Sequence, residues 1–240
     1  MELNRPLLKE QARGLIRTAQ PSVLMTSAIY VALGAVVSFL SARLVGISYA
    51  TLERYAYFIQ QGKLENAIAV LSSSMPSTPA WLINAALDIV MGIVGVGFTL
   101  FILHPVRGTG AATGNLLDGF GFFWRIILLR LVVFVLIFLW SLLLIVPGII
   151  AAYRYSLSTY VLLDHPEYGV MDCIRESKAL TSGRKAELFK LDLSFLGWLL
   201  LSSLPYIGYM ISVWVTPYYT LTQAMYYERF SGHVPAPEYL

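Results

Sequence analysis

The stretch Trp140-Ser-Leu-Leu-Leu-Ile-Val-Pro147-Gly148-Ile-Ile-Ala-Ala-Tyr153-Arg154-Tyr155-Ser156 decides how this chain is threaded. It breaks a long apolar run with Pro-Gly and then sets an arginine where lipid disfavours one. Two readings compete. Residues 124–164 form one long helix kinked at Pro147, or a helical hairpin, 124–146 and 148–164, with Val146-Pro147-Gly148 as its turn. The basic residues discriminate. Arg175, Lys178, Arg184, Lys185 and Lys190 follow the run. A hairpin returns them to the side of Arg5, Lys9, Arg13 and Arg17, whereas a kinked helix puts them opposite. Lys and Arg near spans collect on the cytoplasmic side, so the hairpin is the expectation, with Pro147 and Gly148 at its outer turn.

Working outward, composition sets the solvent. Of 240 residues 57% are hydrophobic and 13% charged, against roughly 25% charged in a soluble domain. Such a chain cannot cover a water-soluble globule and takes lipid as part of its surroundings. A formal charge of +3 is too small to point to nucleic acid. The lone cysteine, Cys173, excludes an internal disulfide. The basic N-terminus followed by an apolar segment reads as an uncleaved first span with a cytoplasmic flank.

The expected fold is all-α: a polytopic membrane helix bundle of six transmembrane helices with short amphipathic interfacial helices, a single membrane domain over 1–240. Residues 2–19 read as an amphipathic cytoplasmic helix or a short solvated leader. Spans are expected at 21–44, 80–103, the two arms of the hairpin, 186–204 and 206–228, the last interrupted by Pro217. Residues 45–79 read as two short amphipathic helices at the outer interface, separated by Gln60-Gln61-Gly62. Residues 107–115 form a glycine-rich connector leading into a surface helix over Leu116–Phe123. It lacks the Lys-Ser/Thr of a phosphate loop. Residues 164–185 read as a cytoplasmic connector with a short helix over Gly169–Leu180, and 231–240 as a mobile tail.

Charges inside spans mark the candidate site, since each costs about 2.5–3.5 kcal/mol at mid-membrane. Asp88 and Arg154 are expected at matching depth, roughly 10 Å below the outer boundary. Arg130 and Asp192 match near the inner one. One reading makes these satisfied structural ion pairs. The other has Arg154 and Asp88, beside Tyr153 and Tyr155, line a polar cavity for an anionic or zwitterionic group. Snorkelling to an interface is the third. His104, His165 and His233 lie on separate segments, so no metal site is expected, no cofactor either, and no enzymatic motif such as GxSxG is present.

The second half carries a resemblance. Trp140 to Ile150 followed by Tyr153-Arg154-Tyr155-Ser156, then Ser177 to Lys185, Leu188 to Trp198, Trp214-Val-Thr-Pro-Tyr218 and Tyr226-Tyr227, resemble the bacterial integral-membrane proteins of the domain-of-unknown-function 975 family over about residues 120–230. Gly183-Arg184-Lys185 departs from a frequent Gly-His-Lys of that family. The resemblance implies a bacterial plasma membrane and a six-helix fold, and no established activity. The expectation is therefore a non-enzymatic multi-pass protein with both termini cytoplasmic that binds or moves an amphipathic or lipid-like molecule. The alternative is a structural or assembly factor of the cell envelope. Membrane lipids, and a second copy or a membrane partner protein, are the partners such a chain would meet.

Overall fold

The computed structural model describes residues 4–45, 49–73, 77–204 and 207–232, and these are helical without a strand among them. They form two compact units, one of residues up to Val31 together with Ile93 onward, the other Ala32–Gly92. Helices α2 (Val23–Val45) and α5 (Thr78–Val106) run from one into the other. Three segments are long and apolar enough to cross a membrane: Val23–Leu44, Thr78–Val106 and Asn115–Leu143. The first and third turn most of their large side chains outward; Phe39, Leu131, Phe134, Phe138 and Leu142 are exposed, whereas the second buries Phe98, Phe101 and Ile102. The outward apolar faces invert the pattern of a soluble helix and suit lipid.

Within Ala32–Gly92, the amphipathic pair expected over 45–79 is realised as α3 (Tyr49–Gln60) and α4 (Leu64–Ser73). Gly62, at φ 69°, turns the chain. The Lys63 N–H then reaches Phe58 O at 2.9 Å and Gly62 N–H reaches Ile59 O at 3.0 Å, a Schellman closure that only a left-handed residue permits cheaply.

In the larger unit, α1 (Arg5–Thr18) is capped by Asn4 and buries Leu8, Ala12 and Ile16, one face at four-residue spacing, against α13 (Ile207–Ser231). It is thus an integral part of the core and not a solvated leader. Lys9 Nζ donates to Ser194 O at 3.3 Å and lies 4.2 Å from the centre of the Phe195 ring.

The hairpin is present. Helix α7 (Phe123–Leu143) and helix α8 (Ile145–Tyr155) pack along one another, and Arg125 at the start of α7 interacts electrostatically with Glu167 and Cys173, beyond the far end of the return arm. The turn, however, lies three residues earlier than expected. Leu144 alone is extended (φ −165°, ψ 153°), and Pro147 and Gly148 belong to the first turn of α8. A helix's first N–H groups lack partners anyway, so proline costs nothing there. Glycine lets the arms touch: a Cβ on Gly148 would lie 2.1 Å from Ser141 Oγ.

Two expected spans are broken. The return arm divides into α8 and α9 (Ser158–Asp164), and 186–204 into α11 (Lys185–Leu193) and α12 (Leu196–Ser202). Serines at the breaks turn back on the backbone, Ser156 Oγ to Tyr153 O at 3.0 Å and Ser158 Oγ to Tyr155 O at 2.7 Å, which competes with helix continuation. Pro217 does the opposite of what was expected: α13 runs through it unbroken. The carbonyl that proline leaves without a donor, Val213 O, receives the Ser27 hydroxyl at 2.8 Å, so the freed group is satisfied by a neighbouring helix.

Two connectors are core. The Leu116–Phe123 segment is a turn of α-helix, α6 (Asn115–Asp118), followed by a 3₁₀ turn. Leu116 is buried, and its carbonyl packs so tightly on Gly97 that a Cβ there would approach it to 2.1 Å. Helix α10 (Val170–Leu180) packs on α7, α8 and α9, burying Cys173, Ile174 and Ser177. Beyond Gly232 the expected tail lies outside the described residues.

Candidate functional site

Pairs of residues one helical turn apart, and therefore on one face, build a chamber in the larger unit. Helix α8 contributes Tyr153 and its C-cap Ser156, α9 contributes Tyr160, α11 contributes Leu188 and Asp192, and α13 contributes Tyr219 and Gln223. Together they enclose a cavity of about 200 Å³. Among the described residues Asp192 is its one charged group. Its Oδ1 accepts from Gln223 Nε2 at 2.7 Å and from the Tyr219 hydroxyl at 3.1 Å, and Tyr153 hydrogen-bonds the same carboxylate. Gln223 Nε2 also donates to Tyr219 Oη at 3.1 Å, so the amide and the phenol brace each other. Phe189 meets Tyr153 edge-on at 6.0 Å, and Phe195 meets Tyr219 likewise at 5.3 Å. The polar residues are thereby held by apolar rings, and Ser156 carries the chamber to the protein surface, where it is exposed.

The structure redistributes the residues expected here. Tyr153 lines the chamber, while Tyr155 is buried in the core and Arg154 is not among the lining residues. The Arg154 carbonyl accepts the hydroxyls of Ser177 at 2.9 Å and Thr181 at 3.4 Å, tying α8 to α10, and its Nε is buried without a hydrogen-bond partner among the described residues. Asp88 is exposed and belongs to the Ala32–Gly92 unit, a different unit from Arg154. Arg130 and Asp192 do not form the expected ion pair. Asp192 is taken by Gln223 and the two tyrosines, and the group interacting electrostatically with Arg130 is Tyr30. Matching depths is not enough, because each residue along a helix also turns the side chain by about 100°.

A second polar cluster was not foreseen. Arg107, just past α5, donates from Nε to Glu228 Oε1 at 2.6 Å, and its Nη2 contacts both Glu228 and Asp164. The Tyr227 hydroxyl donates to the other Asp164 oxygen at 2.5 Å. The carboxylates are almost fully buried, with side chains 4% and 1% exposed, the guanidinium 29%. Burial opposes the charge of Arg107, but the carboxylates outweigh it and push the guanidinium further up. The available signal was positional: all three charges sit at the edges of apolar segments. The cluster adjoins the chamber, since Tyr227 stacks on Tyr160 at 5.2 Å.

Residues 132–233 match the family model described as a protein of unknown function, DUF975. The matched stretch contains every residue lining the chamber, together with Asp164 and Glu228, but not Arg107. No curated protein and no solved structure matches the chain.

Proposed function

Through residues 132–233 the chain belongs to the DUF975 family, and we propose that it is a non-enzymatic, multi-pass membrane protein that holds the polar end of an amphipathic or lipid-like molecule. The observation that carries this reading is the chamber around Asp192: a small cavity, largely aromatic with one acid on its wall, reaching the surface of a helical body with many apolar side chains turned outward. Ligand sites are concave, mostly apolar and furnished with a few placed polar groups, and the chamber has that composition. The body would cross the bacterial plasma membrane six times, with both termini cytoplasmic. Three long apolar helices support the spanning, and the clustering of Arg5, Lys9, Arg13, Arg17, Lys178, Arg184 and Lys185 supports the orientation.

The test is native mass spectrometry, with lipid identification, of the protein purified in a mild neutral detergent. The wild type retains a lipid-like molecule that the isosteric Asp192→Asn variant retains less of. Equal retention by folded wild type and variant refutes the reading.

The buried cluster of Arg107, Asp164 and Glu228 favours a second role, a structural or assembly factor of the envelope, because ion pairs that join the end of α5 to α9 and α13 fix helix positions. In that case chamber variants leave retention unchanged, whereas Arg107 variants alter the proteins recovered with it.

A further inference from the structure

We infer that the group seated in the chamber is an organic ammonium, an inference that rests on the chamber being the binding site. The charge on its wall decides the sign of the ligand. Of the seven lining side chains one is a carboxylate and none is basic. An anionic group would be driven against Asp192 with nothing on the wall to offset it, and Arg154, which was expected to receive an anionic or zwitterionic group, does not line the chamber. Asp192 takes part in no ion pair among the described residues, and its protein partners are neutral donors: Tyr219, Gln223 and Tyr153. A partly buried carboxylate is costly to leave without a countercharge. A carboxylate offers about four lone-pair sites, and these three donors leave it able to accept one more.

The rest of the wall matches the chemistry of a cation that also carries carbon. Tyr153, Tyr160 and Tyr219 present three aromatic rings around a single acid. Aromatic faces attract ammonium groups through the ring quadrupole, by more when the site excludes water. A metal ion fits poorly. Calcium takes six to eight oxygen ligands and magnesium is octahedral, whereas no group of three His, Cys, Asp or Glu is placed to hold a metal among the described residues. A volume of about 200 Å³ admits an ammonium headgroup with its first carbons but not an acyl chain. The tail would leave past Ser156, which is exposed. The ligand class is therefore a single-tailed or lipid amine.

The experiment uses the full-length protein in maltoside and four probes that share a dodecyl chain: dodecylamine, dodecyltrimethylammonium, dodecanol and dodecyl phosphate. Binding is read by tryptophan fluorescence and by thermal shift. Both ammonium probes bind at least about tenfold more tightly than dodecanol and dodecyl phosphate, the primary amine through a charge-assisted hydrogen bond to Asp192 and the quaternary one, which has no N–H, through its charge and the aromatic rings. Asp192→Asn abolishes the preference while its melting curve stays cooperative. Tyr219→Phe, which keeps the ring, retains more of the preference than Tyr219→Leu. The ranking of the two ammonium probes tells a hydrogen-bonded primary amine from a methylated one held by the rings. If all four probes bind equally and Asp192→Asn weakens all of them, the chamber binds amphipaths but the ammonium inference is overturned. If no probe responds to Asp192→Asn in the folded variant, both readings fail.

Discussion

Removing the Arg107 side chain is the sharpest perturbation this fold offers. Arg107 holds Glu228 Oε1 from Nε at 2.6 Å and contacts Asp164 through Nη2, joining the end of α5 to α9 and α13. Arg107→Leu removes the cation that binds two carboxylates whose side chains are 4% and 1% exposed. Breaking a buried ionic cluster by deleting one partner costs about 3–5 kcal/mol, because the remaining charge is left uncompensated. The guanidinium is itself 29% exposed, so water replaces part of what is lost and the low end, about 3 kcal/mol, applies. At roughly 2–4 °C per kcal/mol for a chain of this size, the Tm falls by roughly 6–12 °C. The assay is thermal unfolding in detergent followed by intrinsic tryptophan fluorescence. Arg107→Leu is compared with the triple variant Arg107→Leu, Asp164→Asn, Glu228→Gln. The triple variant melts above the single one, because the penalty is the orphaned charge and it no longer exists. The reasoning is refuted if Arg107→Leu melts within about 2 °C of the wild type, or if the triple variant melts no higher than the single.

Three further expectations test the packing. Gly148→Ala places a Cβ 2.1 Å from Ser141 Oγ and costs about 1–3 kcal/mol by overpacking the hairpin; Ser141→Gly restores much of it in a melting experiment, and no cost at all would mean the arms do not touch there. Ser27→Ala strips the donor from Val213 O and costs about 1–3 kcal/mol. In a Pro217→Ala background the backbone N–H supplies that donor, so the cost of Ser27→Ala shrinks, and additive melting shifts would contradict the capping role. Cys173 is fully buried, and that burial pushes its thiol up and makes thiolate scarce. Maleimide therefore leaves it unmodified in the folded protein at neutral pH and reacts after unfolding in SDS.

What could be read from the chain alone is what local chemistry determines. Apolar composition and length located the segments 23–44 and 78–106, because a helix satisfies its own backbone wherever lipid surrounds it. Gly62 announced the turn between α3 and α4, and the Lys/Arg distribution chose a hairpin over a kinked helix. The exact reversal at Leu144 was not legible, since Pro147 is equally at home in a turn and in the first turn of a helix. Nor were the breaks at Ser156 and Ser194, which contain neither proline nor glycine.

Tertiary structure alone decided the partners of the charges. Arg107 meets Asp164 across 57 residues and Glu228 across 121. Asp192 turns to Tyr219 and Gln223 instead of Arg130. Counting residues gives depth, but a contact also needs the rotation of each helix about its axis and the choice of neighbour. Those are set by packing among helices distant in sequence, here by α13 meeting α1, α9 and α11, and no local signal in the chain encodes them.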